Sequence, residues 1–469
     1  MRELLRNIKI ILFLFVSTAI LLIAGLVIQE NRSKDVLMAA AGENKKALAS
    51  RYENAGTIYS SDGVMLAHSA EEGRRYADDA ETAASFLQLV GDYTHNIGNT
   101  IEAVYQGNLT GGDRSLAHQL QFDLAGKGLE GDDIILTLNA ELNCQAYRLM
   151  REYDGAAVLI NYKTGAVLAA VSTPSTSPDN VINYTDIPDT ALFNRAFMGG
   201  YAPGSSYKYV TAGAWLTSTD YDPDLTVPCT GAAPLIEPDG VKENREDTHG
   251  TLNMTEALEV SCNHFFGEIG VRSGRGLMLE AARKNSVGKA FKADKLSVYK
   301  SRLSIPDRDS TLSWVSIGQP VADSELYISP LQMAMMVGSI GNDGVMMSPH
   351  IIDHMVSPLD TEYEKLNPVS LSEACTPEIA ERLGELLEDA VSNGTGSPAA
   401  VDGLTVCGKT GTAEVEGQDK ENAIFVGYVA DEEHPYAVAV ICENAGLGSA
   451  HAAPIAGELL RLASEIDRR

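Results

Sequence analysis

The sequence predicts a mixed α/β (α+β) fold in which helices cover a central antiparallel sheet. Three observations lead to it. Two strongly apolar hairpins stand at opposite ends of one long segment, at residues 156–171 and 423–443. Helix-compatible sequence fills the space between them, and a lone apolar run near the N-terminus precedes a more polar, glycine-punctuated stretch. Hairpins from both ends of a segment share one sheet most simply when intervening helices pack over it.

With 469 residues there is room for two or three domains. Acidic residues outnumber basic ones 64 to 36, for a formal charge of −28. A nucleic-acid partner is therefore not expected, because it requires a basic face that displaces counterions. The six cysteines are scattered, with no C-x-x-C and no linear metal-binding spacing, and read as buried thiols. No cofactor motif is present, and neither metal nor cofactor is expected.

Taken in chain order, Arg2, Arg6 and Lys9 precede an apolar run over residues 10–28, broken only by Ser17, Thr18 and Gly25. About 20 apolar residues span a bilayer as a helix, and the basic flank stays in the cytoplasm. The expectation is a cytoplasmic tail at 1–9 and a single transmembrane helix at 10–28, with everything beyond it outside the cell. Ala39 and Ala41 resemble a signal cleavage site but lie behind Glu30, Arg32, Lys34 and Asp35, far from the run, which favours a permanent anchor. Residues 29–150 read as a polar stalk and a small extended domain. It opens with a hairpin around Asp62-Gly63 and ends with a strand at 133–138 and a helix at 140–153. Residues 151–469 form the larger domain. Its hairpins at 156–171 and 423–443 are apolar almost without interruption, which predicts strands covered on both faces, and residues 452–466 close it as a helix.

The chemistry concentrates in three short motifs. Pro203-Gly204-Ser205-Ser206-Tyr207-Lys208 opens a helix, so Ser205 sits where free backbone N–H groups favour negative charge. Lys208, three residues on, shares its face and becomes a general base if its own charge is disfavoured. The S-x-x-K pattern is uninformative alone, since Ser286–Lys289 and Ser297–Lys300 repeat it. Downstream, Ser261-Cys262-Asn263 supplies a hydroxyl that can relay a proton and an amide that can hold a peptide carbonyl. Lys409-Thr410-Gly411-Thr412 ends a strand whose glycine lets a substrate backbone approach and pair along its edge. S-x-x-K, S-x-N and K-T-G occurring in this order single out the first S-x-x-K copy.

This set resembles the signature shared by penicillin-binding proteins and serine β-lactamases. From about residue 133 onward the chain resembles a class B penicillin-binding protein of the short, penicillin-binding protein A type. The likeness extends to Thr164-Gly165, His249-Gly250, Trp314 with Ile317-Gly318-Gln319, Ser329-Pro330, and Asn393-Gly394-Thr395-Gly396. It implies a transpeptidase domain behind a pedestal domain. It also implies a catalytic set of Ser205, Lys208, Ser261, Asn263 and Lys409, with Thr410, Gly411 and Thr412 binding substrate. Ser205 would attack the D-Ala–D-Ala bond of a peptidoglycan stem peptide, and an amine of a neighbouring stem would take the acyl group. The N–H groups of Ser205 and Thr412 would form the oxyanion hole. Implied partners are stem peptides and their lipid-linked precursor, β-lactams, and a SEDS-type glycan polymerase, because no glycosyltransferase domain fits before residue 155.

Some relatives carry arginines in the first hairpin, in R-G-x-I and D-R-x-G, where this chain has Ala55-Gly56-Thr57-Ile58 and Ser61-Asp62-Gly63. Relatives also pair a cysteine equivalent to Cys229 with one shortly before H-G, which residues 243–248 lack, so no such disulfide is expected. D,D-carboxypeptidase and β-lactamase activities share the motif set, and a penicillin-binding scaffold or sensor is the non-enzymatic alternative. No dedicated hydrolytic carboxylate is identifiable, and only residues 10–28 could cross a membrane.

Overall fold

The computed structural model describes residues 49–467, except 72, 129, 232–235, 237, 238, 244–246, 416 and 418, together with residues 9, 12, 13 and 15–23. The expected anchor at 10–28 therefore lies partly outside the described residues. Residues 15–23 are helical, with Phe15, Leu21 and Ile23 exposed. Among the described residues no helix is long and apolar enough to cross a membrane. The expected stalk falls almost wholly outside them.

The first hairpin forms at its Asp-Gly turn, pairing Ile58–Tyr59 with Met65–Ala70. Asp62 Oδ1 accepts the N–H of Ala140 at 2.8 Å, which ties this turn to the start of the helix Ala140–Met150. The hairpin belongs to a six-stranded sheet with Gly73–Tyr76, Asp133–Leu136, Ile352–Val356 and Glu362–Tyr363. The last two strands come from deep within the C-terminal segment, so the chain returns to complete the N-terminal sheet. No arginine stands at positions 55 or 61, yet a guanidinium serves this hairpin from elsewhere. Arg74 donates to Gly56 O at 2.7 Å and pairs with Glu102 at 2.8 Å, both side chains being fully buried.

The larger sheet contains β1 (Gly155–Asn161), β2 (Val167–Thr173), β3 (Val406–Ala413), β4 (Asn422–Val429) and β5 (Tyr436–Cys442). Its order is β3-β4-β5-β1-β2, antiparallel throughout. The two apolar hairpins thus meet in the middle, at β5 against β1. Alternate residues serve different cores, as a period of two requires. Val158, Ile160, Val426, Ala439 and Ile441 face one core, while Ala157, Leu159, Phe425, Val438 and Val440 face the other.

Helices cover both faces. Besides α1 (Lys208–Leu216) and α2 (Asn263–Lys284, non-helical at Gly274), α3 (Pro330–Gly341) brings Met333, Val337 and Ile340 to the first core. Ser329 caps α3 through Gln332 N–H, and Pro330 occupies its first turn, where the missing N–H has no intrahelical partner to lose. Beyond α4 (Pro377–Ser392), α5 (Ala452–Asp467) lays Ile455, Leu459 and Leu460 on the second core, alongside Leu142, Ala146 and Met150. This doubly covered arrangement leaves β3 as an edge strand, and the candidate site lies along it.

Removing one member of a fully buried ion pair leaves an uncompensated charge and costs about 3–5 kcal/mol. Glu102→Ala should lower unfolding stability by about 3 kcal/mol or more in denaturant titrations of the N-terminal sheet. An effect below about 1 kcal/mol, the range of an exposed pair, would show that Arg74 does not hold the hairpin.

Candidate active site

Ser205 lies in a single 3-10 turn, Gly204–Tyr207, which runs directly into α1. Three residues per turn eclipse positions i and i+3, so Ser205 and Lys208 stand one above the other. The turn can form because Gly204 adopts φ +54° and no side chain intrudes. A Cβ there would lie 2.5 Å from Thr412 O on β3. Gly204 N–H donates to Gly318 O at 3.0 Å, and Ser206 Oγ donates to Pro203 O at 2.7 Å. The Ile317-Gly318-Gln319 segment is therefore a support for the serine turn.

Lys208 has no exposed surface. Its Nζ donates to Ser261 O at 2.5 Å, Ser261 Oγ at 3.2 Å and Asn263 Oδ1 at 2.7 Å. Ser261 presents both oxygens because it sits in the left-handed region at φ +59°, a conformation that costs a non-glycine residue about 1–3 kcal/mol and recurs at functional sites. Asn263 is held in turn, its Nδ2 donating to Lys242 O at 2.9 Å. The residue between them, Cys262, caps α2, accepting Phe265 N–H. Burial pulls the Lys208 amine down to about 8, against the opposing charge of Glu243. Burial would raise the Glu243 carboxyl, but the His264 N–H bond and the charge of Lys208 outweigh it and leave it below the usual range.

Lys409 approaches from the sheet side and is also fully buried. Its Nζ donates to Thr395 Oγ1 at 3.3 Å, Thr410 O at 3.2 Å and Thr410 Oγ1 at 3.2 Å. Burial, then the charge of Lys208, holds its pKa well below the ordinary lysine range. Thr395 Oγ1 and Thr410 Oγ1 are 2.8 Å apart. Gly411 is required by contact: a Cβ would lie 2.7 Å from Pro203 O and 3.2 Å from Ser206 Cβ. Where β3 ends, the Gln319 amide holds Glu414 from both sides, donating to its O and accepting its N–H, each at 3.1 Å.

Ser205, Ser261, Asn263, Thr410 and Thr412 line one cleft of about 370 Å³, and the two fully buried lysines bond to its lining, Lys208 to Ser261 and Asn263 and Lys409 to Thr395 and Thr410. Every residue that the sequence nominated thus converges on one place. The other two S-x-x-K copies do not reach it. Ser286 is buried against Ser372, whereas Lys289, Ser297 and Lys300 are exposed. Three residues gain importance that sequence reasoning missed. Thr395 lies in the N-G-T-G segment and was given no role of its own, and Glu243 and His249 line the cleft from an irregular segment. For Thr395 the N-G-T-G match was the available signal; for Glu243 there was none. The arrangement presents a hydroxyl at a helix start, a buried amine three residues further on, and a strand edge with a second buried lysine, which are the parts of a serine acyl-transfer site.

Comparison with known proteins gives this class a family. Residues 155–461 match the penicillin-binding protein transpeptidase domain. The peptidoglycan D,D-transpeptidase PbpA of Mycobacterium tuberculosis is 26% identical over 462 residues, covering 91% of this chain and 92% of the relative. The crystal structure of the D,D-transpeptidase domain of a peptidoglycan glycosyltransferase from Eggerthella lenta superposes with a TM-score of 0.77 at 29% identity, over 88% of this chain and 99% of that one. The imipenem acyl-enzyme complex of M. tuberculosis penicillin-binding protein A gives 0.79 at 25% identity, over 89% and 100%. The chain belongs to the penicillin-binding protein transpeptidase family, as a class B member of the penicillin-binding protein A type.

Two outcomes follow from this geometry. If Lys208 accepts the serine proton, it must do so as the free amine. The acylation rate constant should then rise about tenfold per pH unit below about 8 and level off above it, read with a fluorescent penicillin in stopped-flow. A profile flat from pH 6 to 9 contradicts this assignment. Thr395→Val deletes an acceptor of a buried lysine, and hydrogen bonds to charged groups are worth about 1.5–3 kcal/mol. Acylation should slow by roughly tenfold or more, and unfolding stability should fall by about 1–3 kcal/mol because a buried lysine loses a partner.

Proposed function

We propose that the chain is a membrane-anchored, serine-type peptidoglycan D,D-transpeptidase that crosslinks stem peptides and is acylated and inhibited by β-lactams. The observation that carries this reading is the fully buried Lys208 amine, held by Ser261 and Asn263 and placed three residues after Ser205 where the serine turn runs into α1. Lys208 as free amine takes the Ser205 proton while Oγ attacks the carbonyl of the penultimate D-alanine. Negative charge developing on that carbonyl oxygen meets the N–H groups of Ser205 and Thr412, and one such donor is typically worth about 10²–10³ in rate. Ser261 passes the proton to the leaving amine, and D-alanine departs. An amine of a second stem then attacks the ester, releasing Ser205 and completing the crosslink. Thr410 and Thr412 take the terminal carboxylate, with Lys409 supplying positive potential, and the substrate backbone pairs along β3. A β-lactam presents the same carbonyl and carboxylate, and its acyl group stays on Ser205.

The acyl-enzyme structure of the M. tuberculosis relative and the transpeptidase names of the relatives support this activity. The apolar run at 10–28 with Arg2, Arg6 and Lys9 before it supports a single-pass anchor with the catalytic domain outside the cell. Domain limits follow as 1–9 tail, 10–28 anchor, 29–150 stalk and pedestal, and 151–469 transpeptidase. A SEDS-type polymerase would make the glycan strands that this enzyme crosslinks.

The test supplies lipid-linked precursor and a glycan polymerase to the full chain in detergent. Crosslinked stem-peptide dimers should form, Ser205→Ala should form none, and the penicilloyl ester should persist for minutes or longer. Release of free D-alanine without dimers would make the chain a carboxypeptidase, and ester hydrolysis within seconds would make it a β-lactamase.

A further inference from the structure

Beside the S-x-N loop, four side chains with metal-binding chemistry meet although the sequence spaces them irregularly. Cys229 ends the short strand Val227–Cys229, Glu243 lies in an irregular segment, His249 precedes the strand Gly250–Leu252, and Cys262 caps α2. One ligand atom from each falls within 4.8 Å of all the others. Four of the six separations are 3.4 Å for Cys229 Sγ to His249 Nδ1, 3.5 Å for Cys229 Sγ to Glu243 Oε1, 3.1 Å for Cys262 Sγ to Glu243 Oε1, and 3.9 Å for His249 Nδ1 to Glu243 Oε1, and the two remaining pairs lie within 4.8 Å. Zinc bound at about 2.3 Å to sulfur and 2.0–2.1 Å to nitrogen or oxygen gives tetrahedral edges of roughly 3.3–3.8 Å. These four separations bracket that range. Cys229, Glu243 and Cys262 are buried and His249 is half-buried.

We propose that Cys229, Glu243, His249 and Cys262 form a structural site for a borderline-soft divalent cation, zinc by its donor set, that fastens the S-x-N loop of the active site. Two sulfurs, an imidazole and a carboxylate suit zinc better than the all-oxygen cations. Four protein ligands close the coordination shell, which marks a structural rather than a catalytic site. The location gives the metal its consequence. Cys262 stands between Ser261 and Asn263, the two residues that hold Lys208 Nζ. Neighbouring contacts converge on the same place, since Lys242 O accepts from Asn263 and Glu243 Oε1 accepts His264 N–H. Around Cys229 and His249 the regular structure is one ladder of three residue pairs. A four-way crosslink anchors that segment to the start of α2 where so short a ladder cannot.

The experiment uses the full chain purified in detergent from zinc-supplemented cells and dialysed against metal-free buffer. Elemental analysis should find about one zinc per chain in the wild type and in Ser205→Ala, and background in Cys229→Ser/His249→Ala. Cobalt(II) exchanged into the wild type should give thiolate-to-cobalt charge transfer in the near ultraviolet and visible bands of tetrahedral intensity. This readout remains valid if the double variant fails to fold. Stripping the metal should slow penicillin acylation by roughly tenfold or more, restored by zinc, because small misplacements of a catalytic group are costly. Absence of zinc together with absence of the cobalt–thiolate bands overturns the site, and so does zinc retained undiminished by the double variant. Acylation unchanged by stripping overturns its role on the loop. Metal content and cobalt spectra are read without any reaction, so they stand apart from the transpeptidase reading.

Discussion

A lysine amine sealed from water is the constraint around which this active site is arranged. In a low-dielectric interior an ammonium needs acceptors on all its hydrogens, and an amine acting as base must not be over-stabilised as the cation. Lys208 meets both conditions through neutral partners: a carbonyl, a hydroxyl and an amide oxygen, all from Ser261 and Asn263. A carboxylate in direct contact would hold the proton too tightly, and Glu243 is one layer back, bonded to His264 N–H and the two thiols. The left-handed backbone of Ser261 belongs to the same solution, since it turns the carbonyl and hydroxyl of one residue toward one cation. Lys409 is equally buried, and burial together with the charge of Lys208 holds its pKa well below the ordinary lysine range.

A second constraint is proximity. The serine turn must touch the edge of β3, so that a carbonyl laid along that edge meets both the hydroxyl and backbone N–H groups. Glycines make the contact possible, with Gly204 against Thr412 O and Gly411 against Pro203 O. Gln319 then fixes the end of the strand. The doubly covered sheet behind gives this edge its rigidity, because β4, β5 and β1 are buried along nearly their whole length.

Much of this was legible in the sequence because it depends on local pattern. Apolar hairpins with short turns, the closing helix and the order of the three motifs each reflect a periodicity or a turn residue that survives in one dimension. The nucleophile was legible only through context, since three S-x-x-K copies compete and one of the discarded serines, Ser286, is buried rather than surface-exposed. What remained hidden depends on contacts between distant segments. Nothing near Ala55 announces that Arg74 supplies the missing guanidinium, nor does 352–363 announce that it completes the N-terminal sheet. Thr395 was only part of the N-G-T-G likeness, and its role shows in the structure, where Lys409 Nζ donates to it. Cys229, Glu243, His249 and Cys262 have no linear spacing to recognise, because an irregular loop and a helix cap bring them together.

The central claim is that burial and neutral partners make one particular serine reactive. Peptide mapping by mass spectrometry after brief exposure to a β-lactam tests it most directly. The adduct should sit on the peptide carrying Ser205, at about one per chain, with the peptides carrying Ser286 and Ser297 unmodified. An adduct on another residue, or none on a folded chain, would contradict the account.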